Sequence, residues 1–458
     1  MLTRVEISGF KSFVDFQLSL RPFQIIAGPN AAGKSNFFDA LQLLSRLAEH
    51  DLRTAFLSPR GEALEQFTSS GPDKMLASMR FAIEAVVPGM VKDQWGEEAE
   101  LQNTHLRYVL ELTQAWNDGR RQIRITEESL TRISKDDQSS LLPFAISEPF
   151  RKTHIKRGSR AEPYIATEES GKIVLHQDGR AGRKREFNAR DLESTILGAA
   201  TSVTFKHAFA MRQELTGIRF LQLEPTALRQ PSPKSPFPGH ERLQSNGENL
   251  PAVLARLQNT DPALLTDLAM TLRNVIPDIK GLDIWDDTTQ KRLVARGSFD
   301  TGGPYPAGLL SDGTLRLLAL ASLAADPNHE GTICFEEPEN GVHPERMKGL
   351  LNVLHSLATA PDTNHEGTPA NEPLRQLIVN THSPTLLSLA EADELLFAVT
   401  RRHYSSELEA TLSSSVFMPV NDELPLRSPG TPRTSISRKE VRSYLESVHL
   451  AAWENGHP

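Results

Sequence analysis

The stretch "FQIIAGPNAAGKSNFFDALQLLSRLAE", residues 23–49, decides the fold. Its opening apolar run, 23–28, reads as a buried strand, and from Ser35 onward the apolar residues return at helical spacing. Between them "GPNAAGKS", 28–35, fits G-x-x-x-x-G-K-[ST] in full, in the strand–turn–helix context that the motif requires. Gly28 and Gly33 let the backbone wrap tightly enough for several N–H groups to point inward at phosphate oxygens. The helix that follows adds the positive end of its dipole. The candidate cradle is Gly28, Pro29, Asn30, Ala31, Ala32, Gly33, Lys34, Ser35 and Asn36. Lys34 is expected to meet the β- and γ-phosphates, and the Ser35 hydroxyl a Mg²⁺ ion.

A second stretch answers the first. In "TICFEEPENGVHPE", 332–345, an apolar strand runs into Glu336, Glu337 and Glu339. Like charges this close repel, so a cation is expected among them. In phosphate-loop nucleotidases a second strand ends in a carboxylate that holds the Mg²⁺ shell. Glu336 is the candidate for that role, and Glu337 is the candidate to orient and deprotonate an attacking water. Lys34 is expected nearby.

The rest of the chain supplies α/β grammar. At 458 residues it is expected to carry one large domain with an insertion, or two domains. Residues 2–8 and 11–20 read as a hairpin, and 77–88, 104–114 and 121–127 as further strands. "KIVLHQDGRAGRKREF" reads as a hairpin with Asp-Gly as its turn. Residues 203–216 fit a helix, and 249–277 two amphipathic helices split near Asp261-Pro262. The four prolines of 229–241 mark a loop. From 310 the order is turn, helix, strand, acidic turn, helix, strand, which predicts a parallel sheet. After about residue 400 the chain becomes Pro/Ser/Thr-rich, with one last helix, "RKEVRSYLESVHLAAW".

Composition narrows the function. A net charge of -8 disfavours a surface coated for bulk nucleic-acid binding. Residues 151–190 nevertheless hold eleven Lys and Arg against five Asp and Glu, which reads as a solvated face, with a local patch for DNA or a partner as the alternative. Cys334 is the only cysteine, which excludes an internal disulfide and argues against a cysteine-based zinc site. The sequence shows neither a secretory signal pattern nor an apolar run long enough to span a membrane, so a cytoplasmic protein is expected.

These motifs resemble the ATP-binding-cassette class, in its soluble branch around SMC, RecF and OLD-type ATPases. The resemblance rests on "SGFKSF" (8–13), "GPNAAGKSN", "LSDGTLRLLAL" (310–320), "EEPENGVHP" and "LIVNTHSP" (377–384). "RFLQLEPTALRQPS" and "NGENLPAVLARL" are also similar to a bacterial predicted-ATPase group within that branch. It covers roughly residues 1–395. It implies an α/β ABC-type head, an antiparallel β lobe plus a mostly parallel core sheet, with an inserted α/β subdomain. The expected divisions are 1–88 and 301–400 for the head, 89–300 for an inserted lid or arm, and 401–458 for a tail.

Residue by residue, the resemblance makes Glu337 the catalytic glutamate and His382 the switch histidine that hydrogen-bonds the γ-phosphate. Ser311, Asp312 and Gly313 become the helix start that meets the γ-phosphate held by an opposite subunit. Asp312 stands where transporters have Gly, which puts a carboxylate near phosphate. Asn340 to His343 match the loop that usually lies at the dimer interface. Lys11 and Ser12 resemble nucleotide-contacting positions, and Gln66 is a loose candidate for the glutamine loop. ATP and Mg²⁺ are the implied ligands, sandwiched in a homodimer or higher even-numbered oligomer.

No sustained heptads, Toprim pattern or nuclease cluster follows the motifs. The resemblance then implies, as the leading expectation, a sensor or regulator in antiphage defence or DNA surveillance that gates a separate nuclease or toxin, as relatives of this branch often do. A DNA repair or recombination ATPase acting directly on DNA, and an ATP-gated oligomeric scaffold, are the alternatives.

Overall fold

The computed structural model describes the chain except residues 58–60, 72–73, 118, 136, 138–140, 160–161, 179–183, 235–241, 363–372, 422–433 and 444–458. Two sheets organise it. The first has seven strands, in the order Arg219–Leu221, Gly331–Glu336, Arg375–Asn380, Phe23–Ala27, Leu395–Ser405, Ala410–Asn421 and Ile436–Ser437. The first five run parallel, and Ala410–Asn421 returns antiparallel to Leu395–Ser405. The parallel strands read as near-continuous apolar runs because both faces are covered.

Alternation sorts their side chains into two cores. Ile26, Cys334, Ile378, Leu396 and Ala398 face the helix Lys34–Leu47 and the second sheet. Ile25, Ala27, Ile333, Phe335, Leu377, Val379 and Phe397 face the helices Leu250–Thr260, Ala263–Arg273, Asp312–Ala325 and Met347–His355. Cys334 is fully buried, and burial pushes its thiol far above the usual range, so it acts as a core residue. Among the described residues, no helix is long and apolar enough to cross a membrane.

The second sheet has eight strands, all antiparallel: Lys184–Asn188, Lys172–His176, Ile165–Thr167, Arg120–Arg132, His105–Asn117, Ser78–Val86, Leu2–Ser8 and Phe16–Ser19. The boundary expected at residue 88 therefore falls inside one sheet, because strands from 105 to 188 add to those of 2–86. The inserted region divides: Arg219–Leu221 joins the core sheet, and 250–273 pack on it. A small sheet of Ser232–Pro233, Ile279–Asp287, Arg292–Phe299 and Gly302–Pro306 follows.

The boundary expected at residue 400 likewise cuts the strand Leu395–Ser405. Residues up to Asn421 belong to the core sheet, not to a tail. The expected last helix is described only over 438–443, and the Asp-Gly turn expected at 178–179 reaches residues outside the described set.

Candidate functional site

Adjacent parallel strands deliver their C-terminal loops to one edge of a sheet, and ligands of such sheets bind beyond that edge. Here Phe23–Ala27 delivers the loop 28–35, its neighbour Arg375–Asn380 delivers His382, and the next strand, Gly331–Glu336, delivers the acidic turn. Segments more than 300 residues apart in sequence meet for that reason.

The loop is shaped as its glycines require. Gly28 has φ 144°, Ala31 61° and Gly33 93°. A Cβ on Gly28 would lie 2.5 Å from the carbonyl oxygen of Ala398, and one on Gly33 2.0 Å from Ser415 Oγ. Both positions exclude a side chain. The 395–421 hairpin thus walls the loop. Ser415 N–H donates to the Ser12 carbonyl at 2.8 Å, and its hydroxyl meets Ser12 Oγ at 2.7 Å. Asn36 Nδ2 donates to the same Ser12 Oγ at 2.8 Å.

Lys34 is 5% exposed. Its ammonium donates to the carbonyls of Gly28 at 2.8 Å and Pro29 at 2.9 Å, folded into the loop's own concavity. Burial lowers its pKa to about 8, while Glu337 and Glu336 pull it upward. The loop and the acidic turn are therefore electrostatically one site. The Ser35 hydroxyl and the Glu336 carboxylate have no hydrogen-bond or ion-pair partner among the described residues. Two hard oxygen donors suit Mg²⁺, which takes one or two protein oxygens and fills its shell with water and phosphate.

Glu337 leaves its strand with φ 50°, a left-handed conformation that costs an L-residue roughly 1–2 kcal/mol. Ala31 and Lys11, at 61° and 46°, share that conformation, as do Asp15, Lys291 and Glu409 elsewhere. The turn is held by Glu337 N–H donating to the Asn380 carbonyl at 2.8 Å. Asn340 Nδ2 donates to Glu337 Oε2 at 2.6 Å, so Asn340 orients that carboxylate within its own chain.

Two members of the site escaped the sequence reading. Glu339 is half-buried, and desolvation raises its pKa. Its Oε1 accepts from Thr381 Oγ1 at 2.5 Å and from the His382 N–H at 3.3 Å, tying the acidic turn to the switch loop. Arg316, one turn into the helix Asp312–Ala325, feels Asp312, Glu337 and Glu339, though burial still lowers its pKa. It joins Lys34 as a protein cation near the carboxylates. Both residues depend on remote segments meeting, and only the triple carboxylate hinted at them. Desolvation and the Lys34 charge hold His382 below the ordinary imidazole pKa, against the pull of Glu337.

The remaining candidates are placed as follows. Ser311 caps its helix by accepting from Thr314 N–H at 3.3 Å. Asp312 pairs with Arg229 at 2.5 Å, which neutralises the carboxylate that the sequence placed near phosphate. Gly313 packs so tightly that a Cβ would lie 2.5 Å from the Gly341 carbonyl oxygen. Ser311, Gly313, Gly341 and His343 line one groove. Lys11 pairs with Asp39 at 2.7 Å, and its N–H donates to the Gln66 carbonyl at 2.8 Å. The Gln66 side chain is buried, with Nε2 directed at the Phe56 carbonyl at 3.5 Å.

In the 151–190 patch, Lys152 pairs with Glu148, Lys156 with Glu100, Lys172 with Glu186, and Lys184 with Glu168 and Glu186. Arg185 stacks over Phe205 at 5.6 Å. Among the described residues these four lysines are therefore paired, and Arg160, Arg180 and Arg183 lie outside the described set.

The profile of a family described as "AAA domain, putative AbiEii toxin, Type IV TA system" matches residues 23–388. The chromosome partition protein Smc of Bordetella petrii is 31% identical over 106 residues, 22% of this chain and 8% of that protein. The DNA replication and repair protein RecF of Acaryochloris marina is 36% identical over 86 residues, 17% of this chain and 23% of that protein. The matches thus span less than a quarter of these relatives. An Smc head bound to the C-winged helix domain of ScpA aligns with TM-score 0.49 and 12% identity, covering 91% of this chain and 98% of that one. The SMC head domain from Thermotoga maritima aligns with TM-score 0.38 and 13% identity, covering 92% and 99%.

Proposed function

Because the chain belongs to the AbiEii-type AAA-domain family of ATPases, we propose that it hydrolyses ATP to ADP and phosphate as a nucleotide-gated dimer in the cytoplasm. We infer that it serves as the sensor or regulator of an antiphage defence or DNA-surveillance system, controlling a separate nuclease or toxin. The observation that supports ATP hydrolysis most is the meeting of the loop 28–35, Glu336, Glu337 and His382 at one sheet edge, with both carboxylates acting on Lys34.

In this reading the cradle N–H groups and the Lys34 ammonium bind and orient the β- and γ-phosphates. Ser35 and Glu336 would hold Mg²⁺, which when bound neutralises charge developing on the phosphoryl oxygens. Glu337, fixed by Asn340, accepts the proton of the attacking water. His382, neutral at physiological pH, hydrogen-bonds the γ-phosphate. The groove at Ser311 and Gly313 faces the nucleotide of a second copy. A second reading, an ATPase acting directly on DNA, is favoured by the likeness to Smc and RecF over their matched segments.

The test is Glu337→Gln. Hydrolysis is expected to fall by about 100-fold or more, the usual size of a lost general base, with ATP binding retained. Lys34→Ala is expected to weaken binding itself. Normal turnover in Glu337→Gln would falsify the assignment. A nuclease or toxin retained by Glu337→Gln with ATP and Mg²⁺ supports the regulator role; nucleic acid retained without a protein supports the second reading.

A further inference from the structure

The strands His105–Asn117 and Arg120–Arg132 outrun their sheet. Ser78–Val86 pairs with the first only as far as Thr113, and Ile165–Thr167 pairs with the second only at Leu130. From Ala115 to Gln122 the two strands form a ribbon with no third strand among the described residues. Its three residue pairs at ~3.4 Å per residue project roughly 10 Å.

The chemistry of that tip differs from the rest of the surface. Trp116 is 69% exposed, large and apolar. Its cross-strand partner Arg121 lies over the indole, 5.3 Å from the ring centroid. Alternation along the strand puts Arg120 and Arg124 on the other face. Arg124 donates to Gln122 Oε1 at 3.1 Å, which steadies it without neutralising it. None of Arg120, Arg121 and Arg124 has a carboxylate partner among the described residues, unlike the lysines of 151–190. The sequence from 112 to 126 contains one acidic residue, Asp118, against these three arginines.

We propose that this ribbon is a docking element for duplex DNA. The major groove of B-DNA is about 12 Å wide and 8.5 Å deep and admits a two-stranded β-ribbon. A ribbon with cations on both faces meets the phosphates of both groove walls, and Trp116 at the leading end meets base edges. The deep, narrow major groove of duplex RNA does not admit the same element. A chain of net charge -8 keeps this contact local, since its overall field repels phosphate. The inference is independent of nucleotide chemistry.

The experiment is fluorescence anisotropy of the full chain with a labelled 30-base-pair DNA duplex, without nucleotide, across a salt series. Unlabelled duplex RNA and single-stranded DNA serve as competitors. Wild-type protein is expected to bind, with duplex DNA the best competitor. The Arg120→Ala/Arg121→Ala/Arg124→Ala variant is expected to bind at least tenfold more weakly, with a log K against log salt slope shallower by about 2–3, at roughly 0.9 per phosphate contact. Trp116→Ala is expected to weaken binding while keeping the slope. Unchanged melting temperatures show that these exposed substitutions leave the fold intact. Absent wild-type binding at 50 mM salt (about the low end of such series), unchanged affinity and slope in the triple variant, or a preference for RNA or single strands overturns the proposal. Failure of Glu337→Gln to lose hydrolysis leaves it standing, so the two readings fail separately.

Discussion

Lys34 is a buried cation acted on by Glu337 and Glu336. Its pKa of about 8 means that between pH 8 and its ordinary 10.5 the folded chain binds fewer protons than the unfolded one. By linkage, its contribution to stability rises with pH across that window. Phosphate binding needs the ammonium, so the sign for ATP is opposite: affinity is expected to fall above pH 8 by up to about tenfold per pH unit, one proton being taken up on binding. Titrating ATP by calorimetry between pH 7 and 9.5 checks this, with Lys34→Ala giving a flat, weaker profile. A flat wild-type profile contradicts it. The spacing of Gly28, Gly33 and Lys34 was legible in sequence because the phosphate chain dictates it. The left-handed backbones of Ala31 and Glu337 were not, because packing over-determines them against local preference.

Glu339 works between elements. One carboxylate oxygen holds both Thr381 and the N–H of His382, so the end of Gly331–Glu336 fixes the end of Arg375–Asn380. Glu339 is thus a positioning residue. Glu339→Ala is expected to lower kcat by about 10–100-fold, the scale of an ångström-sized misplacement, while the Kd for ATP stays within about twofold. Equal losses in kcat and binding, or in melting temperature alone, would reduce Glu339 to a structural role. Apolar runs made the parallel strands readable. The hairpin Leu395–Ser405 with Ala410–Asn421 was hidden because the exposed Arg402, Tyr404, Thr411 and Ser413 interrupt any apolar signal where its strands meet. The continuity of one sheet across residue 88 was hidden because pairing of distant strands leaves no local mark.

At the scale of the molecule, one chain assembles the cradle, the acidic turn and the switch histidine, whereas Ser311 and Gly313 line a separate groove with Gly341 and His343. Among the described residues no hydrogen bond joins 311–313 to the loop 28–35. Under the proposed function a second copy completes each site, and the closed state lasts until hydrolysis. The measurement that tests this most directly is light scattering of Glu337→Gln with Mg²⁺ and ATP, ADP or no nucleotide. The account predicts a mass twice that of the chain, or a higher even multiple, with ATP alone. A monomer mass in the presence of stoichiometrically bound ATP would contradict it.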